Sequence, residues 1–192
     1  MQQRGELVDV ETEGTGAAPW TATVLPGRGY GCDAPLLRST RVLLRERGWT
    51  VRTVRWRGRA PGAGEVVALG RELLPPADTG RHLVVAKSLT TRLLPLAAER
   101  GLPGVWLTPL LGEEEVRAAA SAATAPTLLV GGDADPYWNP AAAAASGQRV
   151  LELPGADHSL EVPGNTEASL AALDGVVAAV RGFLDDVERA GS

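Results

Sequence analysis

Three side chains of this 192-residue sequence have the types and spacing for acyl chemistry: Ser88, Asp135 and His158. Ser88 ends the short apolar run His82-Leu83-Val84-Val85-Ala86-Lys87, and beyond it Arg92–Arg100 reads as a helix. A serine at such a strand-to-helix turn stands out above the end of a sheet, and the helix that follows presents free backbone N–H groups and a positive dipole end to an oxyanion. A hydroxyl nucleophile needs an imidazole to take its proton and a carboxylate to fix the imidazole tautomer. The chain has two histidines, and His82 opens the run that ends at Ser88, which puts it at the opposite end of that strand. His158 is therefore the candidate base. Asp135 is the candidate acid: Asp157 adjoins His158 and is poorly placed to bond its neighbour's ring, and Asp133 reads as a turn residue.

The elements that must position these groups alternate along the chain. Leu7–Thr12 reads as an edge strand, and Trp20–Leu25, Thr50–Trp56, the run ending at Ala86, Gly104–Thr108, Pro126–Gly132 and Arg149–Leu153 as further strands. Between and after them lie helical stretches at Leu36–Arg47, Gly64–Leu74, Arg92–Arg100 and Glu113–Ala123, a short alanine helix, and a long helix over Thr166–Glu188. Such alternation predicts an α/β fold: a three-layer α/β/α sandwich around a mostly parallel sheet of about six to seven strands. Ligands of these sheets sit outside the C-terminal strand ends, and Arg28, Trp56, Ser88, Thr108, Asp135 and His158 all fall at or just past such ends.

Composition narrows the function classes. The length predicts a single domain over 1–192, with 1–18 and 189–192 as less ordered ends. A formal charge of −4 argues against nucleic acid or anionic membrane as a partner. The single cysteine, Cys32, rules out an internal disulfide framework and a cysteine-based zinc site, reads as a small apolar filler, and fits a cytoplasmic location. The first residues lack the apolar core of a signal peptide, and no run reaches the length of a membrane span. The glycines of Gly27-Arg28-Gly29-Tyr30-Gly31 do not form a dinucleotide fingerprint, and acyl chemistry by a serine with an imidazole and a carboxylate needs no metal and no organic cofactor.

The order nucleophile, acid, base, each after its own strand, resembles the α/β-hydrolase fold family, and most of all its small bacterial members without a lid domain. Their nucleophile motif Gly-Lys-Ser-Leu-Gly is matched by Ala86-Lys87-Ser88-Leu89-Thr90, and the acid and base loops are matched by Gly131-Gly132-Asp133-Ala134-Asp135-Pro136-Tyr137-Trp138 and Gly155-Ala156-Asp157-His158-Ser159. The resemblance implies a Ser88–His158–Asp135 triad and an oxyanion hole built from the N–H of Leu89 and one from Arg28 or Gly29. Two residues depart from the motif: Ala86 adds a methyl, and Thr90 is β-branched where glycine is usual, so it reshapes the turn or packs where a neighbour is small.

Tyr30, Trp56, Tyr137 and Trp138 are candidate substrate contacts, with Trp106 as a further aromatic at a strand end. Arg52, Arg55, Arg57 and Arg59 surround Trp56 either as a solvated strand end or as a seat for an anionic substrate group. The implied activity is cleavage of an ester, thioester or lactone on a small-molecule or carrier-bound acyl substrate by a monomer or homodimer. Two alternatives stand beside it: acyl transfer, cyclisation or elimination with the same triad, and a non-catalytic binding protein on a degenerate scaffold.

Overall fold

The computed structural model describes residues 7–14, 19–77 and 81–191. The strands are β1 (Val8–Glu13), β2 (Thr21–Leu25), β3 (Thr50–Trp56), β4 (His82–Lys87), β5 (Gly104–Leu107), β6 (Thr127–Gly132) and β7 (Arg149–Leu153). They form one sheet in the order β1-β3-β2-β4-β5-β6-β7, parallel throughout except for β1, which runs antiparallel to β3. The helices are α1 (Pro35–Glu46), α2 (Ala63–Leu73), α3 (Leu94–Glu99), α4 (Glu114–Ala122), α5 (Pro140–Ala145) and α6 (Thr166–Ala190).

Period-two alternation splits the strands between two cores. Leu83 and Val85 of β4 face one side, where Leu37, Leu44, Val180 and Leu184 of α1 and α6 cover them. Val84 and Ala86 face the other, against Leu69, Leu73, Leu94, Val116 and Ala120 of α2, α3 and α4. Each large apolar side chain withdrawn in this way contributes about 1.5–3 kcal/mol, and β4, with all six residues buried, sits at the centre of the sheet.

Local chemistry sets the ends of the elements. Asn139 and Asn165 cap α5 and α6, their side-chain oxygens accepting the N–H groups of Ala142 at 2.9 Å and Ala168 at 3.0 Å. The helix expected after Ser88 begins instead as a 3-10 turn, Ser88–Leu93. Pro95 is the reason: it has no N–H to offer the carbonyl of Thr91, which takes the N–H of Leu94 in an i→i+3 bond.

The N-terminal strand, expected over Leu7–Thr12, runs from Val8 to Glu13 and pairs with β3 from Trp56 back to Val51. Cross-strand pairs Arg57–Asp9 and Arg55–Glu11, and Arg41 and Arg45 on Glu13, hold it there. At the other end α6 continues through Ala190, with Arg189 and Asp186 paired one turn apart. Residues 1–6, 15–18 and 192 of those ends lie outside the described residues. No helix among the described residues is long and apolar enough to cross a membrane.

Candidate active site

Ser88 leaves β4 at φ 51°, in the left-handed region that costs a residue with a Cβ about 1–2 kcal/mol. The neighbouring residues meet that cost in a specific way. Ala86 is fully buried and fits without opening the sheet. Thr90 packs in the interior, where its hydroxyl accepts the N–H of Lys87 at 3.1 Å and lies 3.3 Å from the carbonyl of Leu25 and 3.2 Å from that of Lys87. The residue that departs from the glycine pattern thus ties the turn closed from inside.

Two glycines bring the acid and base loops together at the end of β6. A Cβ on Gly131 would lie 2.0 Å from the Trp138 ring, and one on Gly132 would lie 2.1 Å from the carbonyl oxygen of Ala156. Across that close approach the Ala134 N–H donates to Ala156 O at 3.1 Å, and the Gly155 N–H donates to the Asp133 carboxylate at 2.5 Å. Asp133 is thereby a loop tie, as is Asp157, which accepts the N–H groups of Ser159 and Glu161.

The structure brings Ser88, His158 and Asp135 into contact. Ser88 Oγ lies 2.7 Å from His158 Nε2, and His158 Nδ1 lies 2.8 Å from Asp135 Oδ2. The other Asp135 oxygen accepts the Tyr137 N–H at 2.9 Å, and the residue is 4% exposed. Facing a carboxylate, Nδ1 carries the proton and donates it, which leaves Nε2 as the acceptor for the serine O–H. His82 is remote from this chemistry. Its ring nitrogens lie 2.6 Å from Thr21 Oγ1 and 3.0 Å from Thr23 Oγ1, and burial, with a smaller contribution from the Arg52 charge, pushes its pKa down to about 4.

A cavity of about 830 Å³ opens over Ser88 and is lined by Arg28, Gly29, Tyr30, Leu89, Tyr137, Trp138 and His158, among others. The Tyr137 ring stands edge-on to the imidazole, with centroids 4.9 Å apart.

No protein-family model matches the chain, and no curated protein matches it in sequence. Solved structures do match it in three dimensions. They include an alpha-beta serine hydrolase homologue from Coxiella burnetii (TM-score 0.66, 14% identity, 93% of this chain and 94% of that one). Also among them are a dienelactone hydrolase from Anabaena variabilis (0.63, 18%, 93% and 91%) and the mouse alpha/beta hydrolase domain-containing protein 10 (0.64, 11%, 96% and 97%). The chain has the α/β-hydrolase fold.

In an α/β-hydrolase fold the oxyanion donors come from the residue after the serine and from the loop after the first parallel strand. Here Leu89 lies in the first turn of the 3-10 helix, where N–H groups have no partner in a preceding turn, and Arg28 and Gly29 line the same cavity. Trp56 does not line it. Its indole N–H donates to the carbonyl of Gly27 at 2.8 Å, so it props the glycine loop rather than meeting substrate. Trp106 takes a core place: it is buried against Gly104 on the α3–α4 side of the sheet.

The arginines around Trp56 are paired within the chain. Arg55 pairs with Asp33 and Glu11, Arg57 with Asp9 and Arg59 with Glu65, while Arg52 donates to the carbonyl of Leu73. Cys32 packs in the core with its thiol pushed up to about 12 by burial.

The sequence reading missed several lining residues of this α/β-hydrolase fold: Lys87, Arg92, Leu110, Gly112, Glu113, Pro136, Asn139 and Ser159. Arg92 and Glu113 form a two-pronged ion pair across the cavity wall, with Nε to Oε2 at 2.8 Å. They lie in a helix and in the loop after β5, and no spacing rule joins them. Lys87 had a visible signal, since it is the one lysine in the sequence.

Proposed function

We propose that the chain is a serine hydrolase acting on an ester, thioester or lactone. The observation that carries this reading is the continuous hydrogen-bonded line from Ser88 Oγ through the His158 imidazole to the buried carboxylate of Asp135. Ser88 Oγ attacks the carbonyl carbon while His158 Nε2 takes its proton, and the tetrahedral oxyanion turns toward the N–H of Leu89 and that of Arg28 or Gly29. Collapse breaks the bond to the leaving oxygen or sulfur, which receives the proton held on Nε2. Water activated by the same nitrogen then releases the acid and restores Ser88. The buried Asp135 stabilises the imidazolium formed in each half-reaction.

The hydrolases that share the fold support the same reaction class. Hydrolysis is favoured over acyl transfer or cyclisation because the cavity is open and only six residues, 108–113, separate β5 from the next helix, too few for a lid over the acyl-enzyme. The hydroxyl of Thr90 weighs against a degenerate scaffold, since it supports the serine turn where its bulk alone would have disturbed it.

A fluorophosphonate probe with intact-mass detection tests the reading. Wild type should gain one adduct on Ser88, Ser88→Ala none, and turnover of p-nitrophenyl acetate should fall at least 1000-fold in Ser88→Ala. An unlabelled wild type, or equal turnover by the two proteins, sinks it.

A further inference from the structure

Lys87 is the one lysine among 19 basic residues, and it stands directly before Ser88 with 1% of its surface exposed. A buried ammonium is costly unless every N–H finds an acceptor. Here Nζ has two oxygen acceptors and an aromatic face beside it, and none of the three partners is a carboxylate. Nζ donates to His158 O at 2.7 Å and to Thr108 Oγ1 at 2.9 Å, and it lies 4.7 Å from the centre of the Tyr30 ring. Those partners belong to three separate segments: the base loop, the end of β5 and the glycine loop after β2. A guanidinium, planar and forked, cannot aim donors in three such directions from one atom, which explains a lysine in a chain that otherwise uses arginine.

Backbone strain converges on the same point. Among the described residues, the non-glycine positions with positive φ are Ser88 at 51°, Thr108 at 46° and Leu160 at 60°. Ser88 is the residue after the lysine, Thr108 supplies one of its acceptors, and Leu160 lies two residues past another. Such strain persists only where the surroundings over-determine the conformation.

We propose that Lys87 is a positioning residue: its ammonium clamps the base loop, the β5 end and the glycine loop together, and so sets His158 and the oxyanion donors over Ser88. This rests on Ser88 and His158 being nucleophile and base. The groups facing Nζ are Tyr30 from the glycine loop, Thr108 from β5, Asp135 from the acid loop, and Asp157 and His158 from the base loop. Burial lowers the lysine's pKa to about 8, and the charges of Asp135 and Asp157 oppose the shift. Above that pH the clamp loses its charge and one of its three donors, so kcat falls as pH rises.

The experiment uses tag-free protein grown with lysine carrying ¹³C at Cε, which gives one lysine side-chain signal for the whole chain. That signal should titrate near pH 8, and the alkaline fall of wild-type kcat should share its midpoint. Lys87→Met should lower kcat roughly 10- to 100-fold with KM within about threefold, and should lose the alkaline limb. Lys87→Arg should not restore the rate. Thr108→Val keeps the side-chain shape and removes one acceptor, so it should move the titration and the limb to lower pH together, and it serves if Lys87→Met fails to fold.

A signal titrating like an exposed lysine overturns the proposal. So does a Lys87→Met protein with wild-type kcat, or a Thr108→Val titration that shifts while the limb stays. A wild type unreactive to fluorophosphonate overturns both this inference and the hydrolase reading. Equal labelling of Ser88 in wild type, Lys87→Met and Thr108→Val overturns this inference alone.

Discussion

Substituting Gly132 by alanine isolates the step that joins the acid and base loops. The new Cβ would lie 2.1 Å from the carbonyl oxygen of Ala156, and contacts of this kind are not found below 3.0 Å, so the two loops must separate by roughly 0.9 Å. The neighbour is backbone and cannot rotate aside, and it is tied to Ala134 by a 3.1 Å hydrogen bond. His158 follows Ala156 by two residues, and moving it by that amount opens its 2.7 Å contact with Ser88 beyond hydrogen-bonding reach. A misplacement of about 1 Å at the reacting groups costs on the order of 100-fold in rate. The overpacking itself costs about 1–3 kcal/mol of stability.

The assay is kcat for ester hydrolysis and the rate of fluorophosphonate labelling, measured beside urea unfolding so that loss of rate is separated from loss of fold. Gly64→Ala is the control. Its Cβ meets nothing within 4 Å, so its rate should match wild type, with about 0.5–1 kcal/mol of added stability from helix α2. If Gly132→Ala stays within threefold of wild type in both rates, the close approach at the end of β6 does not position the base.

Restoring the family-like glycine at position 90 should harm the protein. Thr90→Gly strips the buried N–H of Lys87 of its acceptor, at about 1–3 kcal/mol, and adds about 0.3 kcal/mol because glycine is a somewhat poorer helix former than threonine, whereas Thr90→Ser keeps the hydroxyl. Urea midpoints in the order wild type, Thr90→Ser, Thr90→Gly are expected, and a Thr90→Gly protein as stable as wild type would contradict the assigned role. His82 should make stability depend on pH. The native state holds it neutral down to about pH 4 while the unfolded chain protonates it near 6.5, so the unfolded state binds more protons between those values. Stability should therefore fall as pH drops through that window, by up to ~3 kcal/mol, and His82→Gln should flatten the slope of the urea midpoint against pH.

The alternation of elements and the chain order Ser88, Asp135, His158 were legible in the sequence because hydrophobic period and turn chemistry are local properties. β3 spans the residues read from its alternating pattern, Thr50–Trp56, and β6 differs from its reading by one residue. The edge strand was readable to within one residue at each end, Leu7–Thr12 against Val8–Glu13, but the ion pairs that flank it join side chains 28 to 48 residues apart and have no local signal. Trp56 illustrates the same limit. Its place at a strand end is local information, whereas the direction of its indole, toward the carbonyl of Gly27 and away from the cavity, follows from how β3 lies beside β2.

The sequence by itself determined the architecture and picked out the three side chains that meet at the strand ends, since one serine turn, one spare histidine and one suitably placed aspartate were available. Only the tertiary structure decided how those groups are held. Thr90 closing the turn, Gly132 against Ala156, and Lys87 reaching three loops at once are contacts between residues far apart in the chain. Their partners are chosen by sheet order and by strained backbone at Ser88, Thr108 and Leu160, none of which has a local sequence signature.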